Sequence, residues 1–315
     1  MAFKRALDVM SVSDLCVDLL LRGNVRPQFG QTEQLIEGYE LELGGSVNIF
    51  AAQFAKLGGN AGLLGRAGKD IFGQYFLTRM QACGVDTSKI RVDAEIKTGL
   101  GVALTEPRDR AILTFLGSID AVTPQELHAL DRHSFGHWHI GSYFLLRRLR
   151  HEWPSWCAEL AALGITVSLD TNWDPEERWE GVRELLPLID VFLPNEAEAL
   201  AISGERDVMS AGRELAKSGA LVVIKRGADG ATAFISNESE PRSLRPGRAL
   251  TAAQVIDTVG AGDCFDAGFL RAWKLGFGLE ECLALGLRCG TASLTAAGGI
   301  EGQIRESIGS PAASI

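Results

Sequence analysis

The stretch Asp257-Thr258-Val259-Gly260-Ala261-Gly262-Asp263-Cys264-Phe265 is the most informative part of this sequence. It follows a β-rich segment at residues 253–256 and precedes a helical run at residues 264–275. Its small residues are therefore predicted to lie at a helix N-terminus, where bare N–H groups and the helix dipole favour an anion. The pattern predicts an anion hole suited to phosphate oxygens that gain negative charge in a transition state.

Asp263 is an acidic residue at the edge of this predicted anion hole. The presence of a negative side chain beside an anion site requires an explanation. The simple alternative is a helix-capping aspartate that follows a glycine turn. Capping would not account for the whole nine-residue pattern around Gly260, Ala261 and Gly262. We therefore interpret Asp263 as a functional carboxylate beside a phosphate site.

Length, charge and cysteine spacing narrow the classes of function. The chain has 315 residues, a formal net charge of -9 and six cysteines without CxxC spacing. The length fits one large α/β domain, and the acidic balance disfavours nucleic-acid binding. No uncharged apolar run approaches the roughly 20 residues that span a bilayer. We expect a cytoplasmic protein that binds neither nucleic acid nor membrane. The tail from residue 302 consists of small and polar residues, and we expect it to be partly disordered.

Short apolar strands alternate with helical segments along most of the chain. The predicted strands include residues 138–140, 165–169, 191–193 and 221–224, each preceded by a helical segment. This alternation is typical of parallel βαβ units and of a sheet covered by helices on both faces. The fold class is therefore predicted to be α/β, with a mostly parallel central sheet.

Two segments depart from this alternation of strands and helices. Residues 20–43 mix Gly, Pro and alternating polar and apolar residues, and residues 98–118 read as a hairpin with a turn around Pro107-Arg108-Asp109. We predict that the two segments pair into a small β-sheet that forms a mobile lid over the main domain. A lid would serve a reaction that has to exclude water. The alternative is a plain edge extension of the core sheet.

Several motifs together resemble one known family. The run DTVGAGD at 257–263 resembles the C-terminal signature of the ribokinase-like (PfkB) carbohydrate kinases, and GGSVNIFAA at 44–52 resembles their N-terminal signature. Further matches follow in family order, at 65–73, 194–198 and 225–230. The resemblance extends over nearly the whole chain. It implies a single ribokinase-like domain over residues 1–315, with three α/β/α layers and a β-lid.

The resemblance also implies an activity. An ATP-dependent kinase would transfer the γ-phosphoryl group to a hydroxyl of a small sugar, with Asp263 as the catalytic base. The backbone from Gly260 through Ala261 and Gly262 to Asp263 would hold the transferring phosphoryl group.

For the sugar, the resemblance and the strand pattern point to residues from three parts of the chain. Asp18 matches the acidic residue that binds sugar hydroxyls in this family, and Asp14 is a weaker candidate. Asp170 and Asn172 follow a predicted strand, and the carboxyl ends of parallel strands face the binding crevice. The predicted sugar-binding residues are Asp14, Asp18, Gly44, Gly45, Asn48, Asp170 and Asn172.

For the nucleotide, Lys225, Gly227 and Gly230 match a loop of the family that borders ATP. Asn195 and Glu198 would bind the nucleotide side and organise Mg²⁺, largely through water. These two residues also read as a capping box at a helix start, and both roles are compatible. Asp257 and the Val259 carbonyl are the implied ligands of a K⁺ ion.

The acceptor itself stays open at this point. The Asp170-x-Asn172 element favours a ribose- or fructose-like sugar, but a nucleoside or a keto-deoxy sugar acid is an alternative. A non-catalytic sugar-binding or regulatory protein on the same scaffold is a further alternative, since fold alone does not settle function. Dimerisation through lid edges would fit the resemblance, and the sequence does not decide the oligomeric state.

Overall fold

The computed structural model describes residues 6–106, 109–247 and 250–311, with the backbone alone at 109 and 110. The strands in these ranges are β1 (Val9–Val12), β2 (Cys16–Arg22), β3 (Gly38–Gly44), β4 (Ala61–Gly68), β5 (Asp86–Asp93), β6 (Gly99–Glu106), β7 (Asp109–Phe115), β8 (His137–Ile140), β9 (Thr166–Leu169), β10 (Val191–Phe192), β11 (Leu221–Lys225), β12 (Ala231–Phe234) and β13 (Arg242–Leu244). The helices are α1 (Ser46–Lys56), α2 (Ile71–Ala82), α3 (Pro124–His128), α4 (Trp153–Ala162), α5 (Val182–Leu185), α6 (Glu196–Ser203), α7 (Val208–Ala216), α8 (Ala261–Lys274) and α9 (Leu279–Ser293).

A nine-stranded sheet forms the centre of the molecule, in the order β13-β12-β11-β10-β9-β8-β1-β4-β5. The strands from β11 to β5 pair in parallel, and β12 is antiparallel to both of its neighbours. Parallel neighbours require crossover connections, which the intervening helices supply. The predicted α/β class with a mostly parallel sheet is confirmed.

Helices cover both faces of this sheet. Val9 and Met10 are adjacent on β1 but belong to different hydrophobic clusters, as do Val222 and Val223 on β11. Successive side chains of a strand point to opposite faces, so the two clusters are the two sides of one three-layer domain. Within the described residues, no helix has the length and apolar composition needed to cross a bilayer.

A separate four-stranded sheet has the order β3-β2-β6-β7. The two segments expected to form a lid do pair with each other, because β2 is antiparallel to β3 and parallel to β6. The first strand begins at Cys16, four residues before the expected boundary, and the edge-extension alternative is wrong. The predicted hairpin joins β6 to β7, while Pro107 and Arg108 of its turn lie outside the described residues.

The tail after residue 302 is more ordered than expected. The Ile304 N–H donates to Gln53 Oε1 at 3.1 Å, and the Ile308 N–H donates to the Leu57 carbonyl at 3.0 Å. Arg271 of α8 in turn donates to the Ile308 carbonyl at 3.0 Å. Polar composition alone predicted disorder, but these bonds to α1 and α8 hold residues 304–308 against the domain.

Candidate active site

A cleft of about 1320 Å³ lies between the carboxyl ends of the parallel strands and the small sheet. Asp170 follows β9, Asn195 follows β10 and Lys225 ends β11, so three neighbouring strands deliver polar groups to one edge. Asp18 of β2 and Gly101 of β6 face them from the small sheet. Crevices at the carboxyl ends of such sheets are the usual ligand sites of α/β proteins.

The glycine-rich loop forms the N-terminus of α8, as predicted. Gly260 has a φ of 74°, and a Cβ atom added there would lie 2.8 Å from Ile49 Cγ2. The first bond of the helical ladder runs from Cys264 N–H to the Gly260 carbonyl at 2.8 Å. The N–H groups of Ala261, Gly262 and Asp263 precede that bond and have no intrahelical acceptor. These residues line the cleft, so the predicted anion hole faces it.

The prediction of a β-rich segment before this loop is wrong. Residues 252–254 form a 3₁₀ turn, and the chain then runs extended without joining a sheet. The reason is the partner that the backbone finds: Ile256 N–H donates to the Leu294 carbonyl at the end of α9, at 2.8 Å. A segment with strand propensity therefore packs beside a helix end and still delivers the loop to α8.

Asp263 lies in the first turn of α8, buried but lining the cleft. Burial raises the pKa of its carboxyl well above the usual value, and the negative charges of Asp170 and Asp14 raise it further. The Lys225 ammonium and a hydrogen bond involving the Ser46 side chain oppose this shift. A carboxyl with a raised pKa beside an anion hole has the properties of a general base.

Asp14 lies opposite, in the loop between β1 and β2. Its Oδ2 accepts bonds from Ser142 Oγ at 2.5 Å and from the Ser46 N–H at 2.8 Å. Burial raises the pKa of its carboxyl to about 7. Its Oδ1 is buried and has no hydrogen-bond partner in the described structure. A buried oxygen without a partner is costly, which is the condition that a bound hydroxyl would relieve.

Asp18 occupies a gap that glycines leave in the small sheet. A Cβ atom on Gly44 of β3 would lie 2.7 Å from Asp18 Cγ, and one on Gly101 of β6 would overlap Asp18 Oδ1. Both neighbours therefore have to be small for this carboxylate to fit between strands. Sequence reasoning named Gly44 but missed Gly101, whose signal was a pair of alternating glycines, Gly99 and Gly101, in a predicted strand.

Asn48 does not reach the cleft. It is completely buried, and its Nδ2 donates to the carbonyls of Gly44 at 2.9 Å and Asp14 at 3.3 Å. Its Oδ1 accepts from Ser13 Oγ at 2.6 Å. The amide thus supports the Gly44-Gly45 turn from inside the protein. The side chain of the next residue, Ile49, lines the cleft instead.

Asp170 and Asn172 both line the cleft, but their polar groups are engaged. Asn172 has a φ of 55°, its Oδ1 accepts from the Ser142 N–H at 2.7 Å, and its Nδ2 donates to Ser46 Oγ at 2.9 Å. Ser142 also has a positive φ, 49°. Left-handed residues of this kind are strained and cluster at functional sites.

Asn195 and Glu198 form the predicted capping box at the start of α6. Asn195 Oδ1 accepts from the Glu198 N–H at 2.9 Å, and Glu198 Oε2 accepts from the Asn195 N–H at 2.8 Å. Both residues also line the cleft. Burial and the nearby charge of Asp170 raise the pKa of Glu198 to about 7.

Lys225 is more deeply engaged than a residue that borders a nucleotide would be. Its buried Nζ donates to Asp170 Oδ2 at 2.8 Å and to both oxygens of Asp266, at 3.0 and 3.1 Å. Asp266 was missed by sequence reasoning, although its position one turn after Asp263 on α8 was a signal. Gly227 has a φ of 54° and opens onto the cleft, and Gly230 lets the loop approach β13.

Asp257 ties two loops together near the anion hole. Its Oδ1 accepts from the Val259 N–H at 3.0 Å, and its Oδ2 accepts from the Gly298 N–H at 3.0 Å. The carboxylate thus joins the loop before α8 to the loop after α9. This geometry leaves the expected role of Asp257 and Val259 as cation ligands a prediction.

The chain matches the model of the pfkB family carbohydrate kinases over residues 7–305. It belongs to this family. The resemblance and the predicted class of enzyme are therefore confirmed, and the protein is an ATP-dependent carbohydrate kinase.

Individual relatives are similar to this kinase along most of its length. An ATP-dependent ribose-1-phosphate kinase of Halopiger xanaduensis is 29% identical over 287 residues, covering 90% of both chains. A fructokinase of Klebsiella pneumoniae is 29% identical over 280 residues, covering 81% of this chain and 86% of its own.

Solved structures show the same fold. A candidate ribokinase II of Escherichia coli, in complex with ATP and Mg²⁺, has a TM-score of 0.79 at 23% identity, covering 94% of this chain and 96% of its own. A Vibrio cholerae fructokinase double mutant with bound fructose, ADP and potassium ion has a TM-score of 0.79 at 21% identity, with coverages of 95% and 96%.

Proposed function

We propose that this kinase transfers the γ-phosphoryl group of ATP to a hydroxyl of a small, uncharged, ribose- or fructose-like sugar, with Asp263 as the catalytic base. The observation that carries the proposal is the position of Asp263. Its carboxyl shares the first turn of α8 with the unpaired N–H groups of the anion hole, inside the cleft.

The proposed reaction uses these groups in order. Asp263 accepts the proton of the acceptor hydroxyl while that oxygen attacks the γ-phosphorus, and the bond to the leaving oxygen of ADP breaks. The N–H groups of Gly260 to Asp263 bind the phosphoryl oxygens, on which charge is spread. The raised pKa of Asp263 supports this role, because a base with a pKa nearer to neutrality accepts a proton more readily.

The acceptor half of the cleft supports an uncharged sugar. Asp14, Asp18 and Asp263 line it, and these acidic side chains offer no positive charge to bind a phosphate or a sugar acid. Among the described lining residues the basic side chains are Lys225 and Arg245, and Lys225 is already paired with Asp170. A carboxylate that accepts from two hydroxyls suits a polyol, and the unpartnered Oδ1 of Asp14 supports such contacts.

The other predicted sugar-binding residues have supporting roles in this proposal. Gly44 and Gly45 leave room beside Asp18 and Asp14, and Asn48 holds their turn in place. Asp170 and Asn172 border the acceptor through Lys225, Ser46 and Ser142.

The nucleotide half would be formed by Lys225, Gly227 and Gly230, with Asn195 and Glu198 beside them. The last two present amide and carboxylate oxygens to the cleft, which is the donor type that Mg²⁺ prefers, usually through water. Mg²⁺ would neutralise phosphate charge there. The similarity to the E. coli protein with ATP and Mg²⁺ supports both ligands.

A K⁺ ion is proposed near Asp257 and the Val259 carbonyl, which belong to the loop that positions the anion hole. Replacing K⁺ by a large organic cation should then lower turnover. Equal rates in both salts would remove this part of the proposal.

A homodimer is proposed on the basis of the small sheet. Tyr39, Leu113 and Phe115 are 72%, 61% and 53% exposed and lie on the face opposite to Asp18. An apolar sheet face of this kind is typical of protein contacts. Sedimentation velocity would test it, and a monomer at micromolar concentration would contradict it.

The test of the main proposal is a screen of ATP consumption with pentoses, hexoses, sugar acids, phosphosugars and nucleosides, each with and without K⁺. We expect a neutral pentose or hexose to give the highest kcat/KM. A nucleoside, sugar acid or phosphosugar as best substrate would overturn the acceptor assignment. Saturable sugar binding without turnover would overturn the proposed roles of Asp263 and the anion hole.

A further inference from the structure

The buried group that the proposed mechanism leaves unexplained is Asp266. It lies on α8 with no exposed surface, among the apolar side chains Phe265, Ala267 and Phe269. A carboxyl in such a place costs free energy unless a partner compensates for lost hydration.

The partners of Asp266 are Lys225 and the carboxyl of Asp170, with which it shares a hydrogen bond. Both carboxylate oxygens of Asp266 accept from the Lys225 ammonium, at 3.0 and 3.1 Å, and Asp170 accepts from it at 2.8 Å. The ammonium therefore links the ends of β9 and β11 to α8. A lysine side chain is long and flexible, so a two-oxygen contact restrains it more than the single oxygen of Asp170.

The restrained ammonium lies against the anion hole. A Cβ atom added to Gly262 would be 3.4 Å from Lys225 Nζ, so the charge faces the first turn of α8. A fixed positive charge at this point would stabilise a phosphoryl group bound by the N–H groups of that turn. Lys225 also opposes the upward shift in the pKa of Asp263.

We propose that Asp266 is a positioning residue for phosphoryl transfer, which holds the Lys225 ammonium against the first turn of α8. This inference rests on the proposed function of Asp263 and the anion hole. Asp266 is not a catalytic residue, because it contacts Lys225 and the core rather than a reactant.

The first test is Asp266→Asn, which keeps the shape of the side chain and replaces one of the two oxygens that hold the ammonium by an NH₂ group. We expect kcat to fall by about tenfold to a hundredfold, because loss of a direct electrostatic contact costs about 10²- to 10³-fold and Asp266 acts only through Lys225. The KM for the sugar should change little, because the acceptor residues are untouched. Asp266→Glu keeps the charge but displaces it, and should also be slower than the wild type.

The matched control is Asp93→Asn. Asp93 is a mostly buried partner of Arg66, at 3.2 Å, and lies outside the cleft lining. This variant loses a carboxylate from a buried ion pair and should keep the kcat of the wild type, even if it melts earlier. Wild-type kcat in both Asp266 variants would overturn the inference, and so would an equal loss of kcat in Asp93→Asn.

A double-mutant cycle separates positioning from an independent effect. If Asp266 acts through Lys225, adding Asp266→Asn to Lys225→Met should not lower kcat further, and additive losses would overturn the inference. Should Asp266→Asn not fold alone, Asp266→Glu and the double variant still decide the point. Asp263→Asn distinguishes failure of the proposed function from failure of the inference about Asp266. If Asp263→Asn keeps wild-type turnover, the proposed function is wrong, whatever the Asp266 variants show.

Discussion

The two sheets of this kinase meet at one cleft but differ in how they hold their polar groups. At the edge of the large sheet, Asp170 and Asp266 are buried and both bind the largely shielded Lys225 ammonium. In the small sheet, Asp18 lies between glycines, and β7 carries Ile112 and Leu113 more than half exposed. In the proposed function, the large sheet would supply a pre-organised phosphate site, and the small sheet would supply a thin wall for the acceptor.

This difference between the two sheets indicates where groups that lower folding stability are kept for function. Asp14 and Asp263, whose pKa values are raised by burial, lie in a loop and at a helix end beside the edge of the large sheet. Such groups weaken the folded state at neutral pH, and enzymes tolerate them where chemistry needs them. Substitutions in the two regions should therefore have different signatures.

The largest effect is expected from Asp263→Asn. Loss of the base should lower kcat by about 10²- to 10⁴-fold and leave the fold intact, because the removed carboxyl is unfavourably buried. Initial rates and thermal melting measure the two effects. In the wild type, kcat/KM should rise with pH as Asp263 ionises, with the acidic limb displaced above the usual range for aspartate. Wild-type turnover in the variant would refute the base assignment.

Asp14→Asn should increase stability at neutral pH. The pKa of Asp14 is about 7 in the folded protein against a usual value of 3.8, so the folded state keeps a proton that the unfolded state loses. Stability contributed by Asp14 therefore falls as pH rises from about 4 to 7, and the variant should gain roughly 1–4 kcal/mol at pH 7.

Urea unfolding at neutral and acidic pH tests the predicted sign of the stability change in Asp14→Asn. The gain should shrink as the pH approaches 4, where both states of the wild type hold the proton. Asp207→Ala is the contrasting control, because Asp207 caps α7 through the Ser210 N–H at 2.9 Å and its removal should lower stability at neutral pH. A loss of stability in Asp14→Asn at neutral pH would contradict the raised pKa.

In the small sheet, Gly101→Ala should displace Asp18 without unfolding the protein. The added methyl would overlap Asp18 Oδ1, and losing a hydrogen bond to a charged group costs about 1.5–3 kcal/mol. The KM for the sugar should rise roughly tenfold to a hundredfold, with the KM for ATP unchanged. Gly38→Ala is the matched control, since an added Cβ there has no atom within 4 Å. Equal KM values in the two variants would argue against Asp18 as a sugar ligand.

The smallest effect concerns the lid role of residues 20–43 and 98–118. If the small sheet closes over bound sugar, limited proteolysis of these segments should be slower with sugar, by up to about tenfold at a sugar concentration near ten times Kd. Cleavage sites elsewhere on the surface serve as the internal control. Identical cleavage with and without sugar would show that the small sheet is a fixed wall.

Much of this protein could be read from local sequence. The short apolar runs predicted β8, β9, β10 and β11, and the glycine-rich run at 257–263 predicted the N-terminus of α8. Both depend on residues close together in the chain, where backbone propensity and helix-end geometry decide the outcome. The pairing of the small sheet was also foreseen, because its alternating pattern differed from that of the βαβ units.

Tertiary structure alone decided which polar side chains face the cleft. Asn48 turns inward and Ile49 faces the cleft, because the carbonyls of Gly44 and Asp14 need the Asn48 amide. Lys225 and Asp266 are 41 positions apart in sequence, yet a single buried ammonium joins them. A buried charge is stable only beside its partner, and such partners come from distant segments that local patterns do not relate.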